Sequence, residues 1–402
     1  MTLKTTTRSL ALAALLGATA LTLPALAQDP STITGGFDVG PGGFQGNFNP
    51  LAATSGLTWL SVYYEPLVIY NAELTQLEGA LASEWSMSED QREITFTLVE
   101  ETWHDGEAFT SADVKFTLEL AKNAAAGSVF AARLGSITSV DTPDDRTVVV
   151  TLSNPDTGLL STLAQVMILP EHALKDIAPE KLATSTWWAT TPIGTGPYKF
   201  TQYVTDQYVE LAADEDYRNG RPLTDRLINR YFDNSAAAVA ALRAGEIEFT
   251  YVEPDDAATL ADNADYRVIE GASFVVNYVG FNHMVGLWDD VRVRKAFMHA
   301  IDRQAIIESL YGGAAEAANC GYVADQLVPA DIDQYEYDPE KARALLAEAG
   351  WSEINGDKPI TWLTYYNTPL AANVMAATQA MLSQVGINVV PRVVDTPTYN
   401  GI

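Results

Sequence analysis

The chain has 402 residues, with 24 Lys and Arg against 52 Asp and Glu, a net charge of −28. So acidic a surface repels nucleic acid and anionic lipid and favours solubility. Its single cysteine, Cys320, excludes an internal disulfide framework and any cysteine-rich zinc site.

The first segment places Lys4 and Arg8 ahead of an apolar run from Leu10 to Leu23, followed by Ala25, Leu26 and Ala27. That order of positive, apolar and small residues predicts a secretory signal peptide over 1-27, cleaved after Ala27, and a protein exported from the cytoplasm. Gln28 rather than a cysteine would then lead, which argues against lipid anchoring. Without Lys4 and Arg8, 22 bases face 52 acids, a net of −30. No later run of about 18 apolar residues offers a membrane span, so no insertion is expected after cleavage. The roughly 375 residues that remain exceed what one core serves, and two or three domains are expected.

The Gly-, Asn- and Pro-rich stretch "TGGFDVGPGGFQGNFNP" reads as loop with a strand at its start. "EITFTLVE" (93–100) alternates Ile94, Phe96 and Leu98 with Thr95, Thr97 and Val99, the pattern of a strand with one buried face. "RTVVVTLS" (146–153) predicts a second strand. Between them, "WHDGEAFTSADV" (103–114) turns at Asp105-Gly106 and enters a helix through Thr110 and Asp113, spaced as a capping box, with Val114, Leu118 and Ala121 on one face. "NSAAAVAALRAGEIEFTYV" predicts a helix stopped near Gly245 and then a strand. "RVIEGASFVVNYVGFN" predicts a strand that crosses between lobes. Beyond it, Asp302 and Asp338 are expected N-caps, and Pro339 a first helical residue. "NVMAATQAMLSQVGINVVPRVV" predicts a helix, a stop at Gly386 and a strand. Helices and strands alternate, which indicates a mixed α/β architecture.

The four histidines, His104, His172, His283 and His299, form no H-E-x-x-H pair, so neither a metal nor a cofactor is expected. His104 beside Asp105 is read as structural. No G-x-S-x-G elbow or Walker loop is present, and no enzyme activity is expected. "GTGPY" (194–198) has the look of a phosphate loop, but Pro197 removes a backbone donor, and a tight turn before the strand "YKFTQYV" is the expected reading. Aromatic residues are abundant: Trp59, Tyr63 and Tyr64, then Phe274, Tyr278 and Phe281. Such a cluster suits either a core or a cleft for an elongated polar ligand.

Six blocks in order, "YEPLVIYNAEL", "GALASEWSMSEDQREITFTLVEETWHDGEAFTSADVKFTLEL", "PIGTGPYKF", "AALRAGEIEF", "DVRVRKAFMHAIDRQAII" and "YDPEKARALLAEAGW", resemble the family 5 extracellular solute-binding proteins. This family includes the dipeptide- and oligopeptide-binding proteins of ABC importers. The resemblance implies a mixed α+β, two-lobed periplasmic-binding-protein clamshell with an extra inserted domain. The expected divisions are 28-66 and 189-270 for domain I, 67-188 for the inserted domain II, and 271-402 for a domain III that is incomplete at its C-terminus. The block around His104 is then a fold signature of domain II.

By position, the resemblance places Thr54, Ser55, Gly56 and Trp59, and Phe274, Val276 and Tyr278 on the crossover strand, at the ligand. The expected partners are a small peptide and ABC permease subunits, with the chain itself a monomer. Oligosaccharides on the same scaffold, a ligand-presenting sensor subunit, and a secreted hydrolase are the alternative readings. Family members continue beyond "INVVPRVV", so the chain is expected to be a fragment of a longer product, and a disulfide partner of Cys320 is expected in the remainder.

Overall fold

The computed structural model describes residues 31–38, 48–52, 60–72, 74–271, 276–321, 328–395 and 398–399. Strand β1 (Thr32–Asp38) is followed by a small antiparallel hairpin, β2 (Val68–Tyr70) and β3 (Leu77–Gly79). Next come β4 (Ala82–Met87), β5 (Glu93–Leu98), helix α1 (Ser111–Lys122), β6 (Ile137–Asp144) and β7 (Thr147–Leu152). The four longer strands form an antiparallel sheet in the order β4-β5-β7-β6.

The period-two pattern of β5 is realised: Ile94 lies opposite Val150 and Phe96 opposite Val148, all buried. One buried face fixes the register, because a slip of one residue would turn every apolar side chain to solvent. Fully burying each such side chain is worth about 1.5–3 kcal/mol. Helix α1 covers this sheet with Val114, Leu118 and Ala121, all buried, and the Thr110 N–H donates to Asp113 Oδ2 at 2.8 Å as the cap requires. Short helices between Leu159 and Thr190 add Leu159, Leu163, Leu174 and Trp188 to the same core.

Strands β8 (Tyr198–Val204), β9 (Tyr208–Ala213) and β10 (Arg226–Phe232), helix α2 (Ser235–Arg243) and β11 (Phe249–Thr250) then return to the first strand. Their sheet runs β11-β1-β10-β9-β8, with β1 parallel to both of its neighbours. The described elements between β1 and β8 are therefore an excursion from this sheet.

After helix α3 (Pro254–Ala261) a second core gathers α4 (Val291–Ala300) and α6 (Pro339–Glu348) with β12 (Ile360–Thr364), α7 (Pro369–Gln384) and β13 (Val389–Val393), while α5 (Arg303–Leu310) packs on α7 outside that cluster. Strands β12 and β13 pair in parallel around α7. The rings of Phe281, Trp288 and Phe297 pack at centroid distances of 4.9–5.4 Å. Asp302 accepts from Ala305 N, and Asp338 from Lys341 N, both at 2.9 Å; each such cap is worth about 1 kcal/mol. No helix of the described residues is long and apolar enough to cross a membrane.

One expectation is corrected. Residues 267–271 and 276–282 form no strand, and 272–275, with Phe274, lie outside the described residues. Alternating apolar residues make a strand only where a partner edge supplies the ladder. Tyr278 instead stands 83% exposed and Val276 is half-buried.

Candidate functional site

The histidine motif resolves into a clamp. The backbone N–H of Gly194 donates to His104 Nδ1 at 3.3 Å, which leaves the ring proton on Nε2, placed 2.8 Å from the carbonyl of Gly196 that accepts it. His104 N also donates to the Gly194 carbonyl at 2.9 Å. Gly196 N donates to Tyr63 O at 3.0 Å, and Tyr198 N to Val62 O at 3.0 Å. The amides of Gly194, Gly196 and Tyr198 are thus spent inside the protein rather than free to cradle a phosphate.

Burial lowers the pKa of His104 below its ordinary 6.5, outweighing its bond to Gly196. The unfolded chain therefore takes up this proton first. The stability that His104 confers is complete above about pH 6.5 and is lost as pH falls through the folded value. Replacement by Gln should flatten the fall in urea-unfolding stability between about pH 7 and 5. An unchanged slope in H104Q would remove His104 as its source.

Open sheets with parallel strands hold ligands outside the carboxyl ends of those strands, where backbone dipoles and loops converge. The described residues include two such edges. At the first, β1 and β10 end together and β11 two positions earlier, and the ring of Phe37 meets Phe249 at 5.9 Å and Tyr251 at 6.1 Å. Tyr251 is 73% exposed. At the second edge, β12 ends in Thr364, and Tyr365 and Tyr366 follow with rings stacked at 4.6 Å; Tyr399 packs edge-on to Tyr365 at 4.9 Å. All three of these tyrosines are more than a third exposed.

The helices that leave these edges meet. A crevice of about 60 Å³ is lined by Glu253, Pro254 and Asp255 at the start of α3, Ser309 and Leu310 at the end of α5, and Pro369, Leu370 and Asn373 at the start of α7. Tyr251 lies two residues before the first group and Tyr366 three residues before the last, so the crevice is lined by the segments that follow the two aromatic edges. Burial, and then the charge of Glu253, push the Tyr311 hydroxyl up. Exposed tyrosines offer a rigid apolar face with a polar tip, the surface an elongated ligand needs.

Of the residues expected at the ligand, Thr54, Ser55, Gly56, Trp59 and Phe274 lie outside the described residues. Val276 and Tyr278 are described, but lie on an irregular segment. Tyr63 and Tyr64 are fully buried, with ring centroids 4.2 Å apart, and burial raises the pKa of both hydroxyls. They are core. Tyr251, Tyr365 and Tyr366 are not among the residues the sequence singles out; for Tyr251 the available signal is its place at the end of the stretch "EIEFTYV" read as a strand, and for Tyr365 and Tyr366 there is none. Among the described residues no group of three or more His, Cys, Asp or Glu could hold a metal ion.

Residues 76–401 match the model of the bacterial extracellular solute-binding proteins, family 5. A protein of Brucella ovis named as a candidate ABC transporter peptide-binding protein is 64% identical over 394 residues, which is 98% of this chain and 75% of that protein. The dipeptide-binding protein of Escherichia coli K12 is 32% identical over 338 residues, 75% of this chain and 61% of that one. In fold, the chain matches the oligopeptide-binding protein AppA of Bacillus subtilis, solved with a nonapeptide, at TM-score 0.82 and 26% identity, over 93% of this chain and 77% of that one. NikZ of Campylobacter jejuni, solved with Ni(L-His), matches at TM-score 0.79 and 26% identity, over 92% and 75%. The two-lobed mixed α/β architecture is that of these periplasmic binding proteins.

Proposed function

The chain belongs to the bacterial extracellular solute-binding proteins, family 5, of ABC transporters, and from that membership we propose that it captures dipeptides or oligopeptides between its lobes and delivers them to membrane permease subunits. The observation that carries this reading is the pair of exposed tyrosine edges, each followed within three residues by a helix start that lines one crevice. The fold match to a protein solved with a nonapeptide supports it. Only the closed form brings both edges to the ligand, so binding shifts the population toward closure. No bond in the ligand is made or broken.

The same reading takes the leader 1-27 to be removed after Ala27 and the protein to work as a periplasmic monomer. It divides the remainder into 28-66 with 189-270, 67-188 and 271-402. The sheet that unites β1 with β8 to β11 supports the first pairing, and the four-stranded sheet supports the second unit.

A ligand bound only by the folded protein raises its unfolding midpoint by mass action, by about 2.7 kcal/mol of stability at a hundredfold excess over Kd. Thermal unfolding with a panel of di- to pentapeptides is expected to show such a rise. No rise with any peptide, beside a clear rise with an oligosaccharide or an opine, would overturn the peptide assignment.

A further inference from the structure

We infer that this cleft selects cationic oligopeptides, those carrying Lys or Arg side chains. The inference rests on the peptide-binding reading above and narrows its ligand class. Its first ground is the nature of the exposed surface at the two edges. Tyr251, Tyr365 and Tyr366 are exposed aromatic rings, the last two stacked on each other, and such rings carry a quadrupole that attracts ammonium and guanidinium groups. Phe37 and Phe249 extend the first platform.

The second ground is charge complementarity. Within two residues of the carboxyl ends of β1, β10, β11, β12 and β13 stand four acids, Asp38, Asp233, Glu248 and Asp395, and two bases, Arg230 and Arg392. Arg230 is already neutralised by Glu246 at 3.2 Å and lies over the Phe232 ring. Glu248 is engaged by the backbone N–H of Thr34, and Asp395 by that of Thr398. The crevice lined by the starts of α3 and α7 adds Glu253 and Asp255 and no base. Nearby Arg243 is turned to Asp256 at 3.1 Å. Arg392 is thus the single base at these ends without a carboxylate within ion-pair distance among the described residues. A ligand entering here meets aromatic faces and carboxylates, within a chain whose net charge of −28 already repels anions. Neutral peptides can stack on the rings, but only cationic ones use both features.

Calorimetric titration of the purified protein with three probes of one length, Lys-Phe-Lys, Ala-Phe-Ala and Glu-Phe-Glu, tests this. Lys-Phe-Lys is expected to bind roughly tenfold or more tightly than Ala-Phe-Ala, and Glu-Phe-Glu the most weakly. Raising NaCl to about 0.5 M should narrow the gap by screening. The double variant E253Q/D255N should weaken Lys-Phe-Lys alone, whereas Y251A should weaken Lys-Phe-Lys and Ala-Phe-Ala together; ligand-free unfolding midpoints verify that both variants fold. Equal or tighter binding of Ala-Phe-Ala or Glu-Phe-Glu, or an unchanged preference in E253Q/D255N, overturns the cationic selectivity and leaves peptide binding standing. Binding of none of the three overturns both readings.

Discussion

Replacing Arg218 by methionine is expected to destabilise the protein by about 3–5 kcal/mol, the loss that follows when one partner of a buried ion network is removed. The guanidinium grips Glu65 with both of its terminal nitrogens, each bond 2.6 Å long, and reaches Glu101 at 2.7 Å. Tyr217 Oη donates to the same Glu65 carboxylate at 3.0 Å. All three charged side chains are at least four-fifths buried. Burial alone would lower the pKa of Arg218; the bonds to Glu65 and Glu101 outweigh it and hold the guanidinium charged.

Glu65 follows the buried tyrosine pair, Glu101 leads into the clamp that holds His104, and Arg218 lies between β9 and β10. The network therefore ties the five-stranded sheet to its excursion. Methionine fills much of the volume but leaves two buried carboxylates without a cation. Urea unfolding of R218M measures the loss directly. The triple variant R218M/E65Q/E101Q, which removes the charges together, should recover a large part of it. A loss below about 1 kcal/mol in R218M would mean that water screens the network as it does a surface pair.

What the sequence discloses here follows the reach of the chemistry involved. The caps at Asp302 and Asp338 and the pair Thr110 and Asp113 were legible because each bond closes within three residues. The buried face of β5 was legible because the alternation is local. By contrast β1, a Gly-containing strand, gives no sign that Thr32 will lie opposite Arg226 and Gly36 opposite Thr250. The bonds of His104 to the Gly194–Gly196 turn are equally remote, so the sequence placed the motif at a turn without showing what the ring holds. Aromatic residues were the hardest to sort. Tyr63 and Tyr64 went to the core and Tyr251 to the surface, and composition distinguishes neither case, since a tyrosine ring satisfies both environments. The segment that carries Tyr278 alternates like a strand yet has no ladder among the described residues, because pairing depends on an edge that lies elsewhere in the chain.

The turn gripped by His104 yields the second large effect. A methyl group added at Gly194 would sit 1.8 Å from the carbonyl oxygen of Tyr63 and 2.9 Å from its carbonyl carbon. Both are backbone atoms of a fully buried residue, so the strain cannot be relieved by turning a side chain aside. The turn would have to retreat, and with it would go the Gly194 bonds to His104 Nδ1 and from His104 N, together with the Gly196 bond to Tyr63. Overpacking of this kind costs about 1–3 kcal/mol or more, and each lost buried hydrogen bond adds about 1 kcal/mol. G194A is therefore expected to lose about 3–5 kcal/mol, a large fraction of the roughly 5–15 kcal/mol that holds a folded domain together. Gly271, whose added methyl would meet nothing within 4 Å, is the matched comparison, and G271A should stay within about 0.5 kcal/mol of the parent. Urea midpoints for the two variants decide the matter. If G194A unfolds with the parent, the close approach to Tyr63 is relieved at no expense, and the glycine is there for a reason other than space.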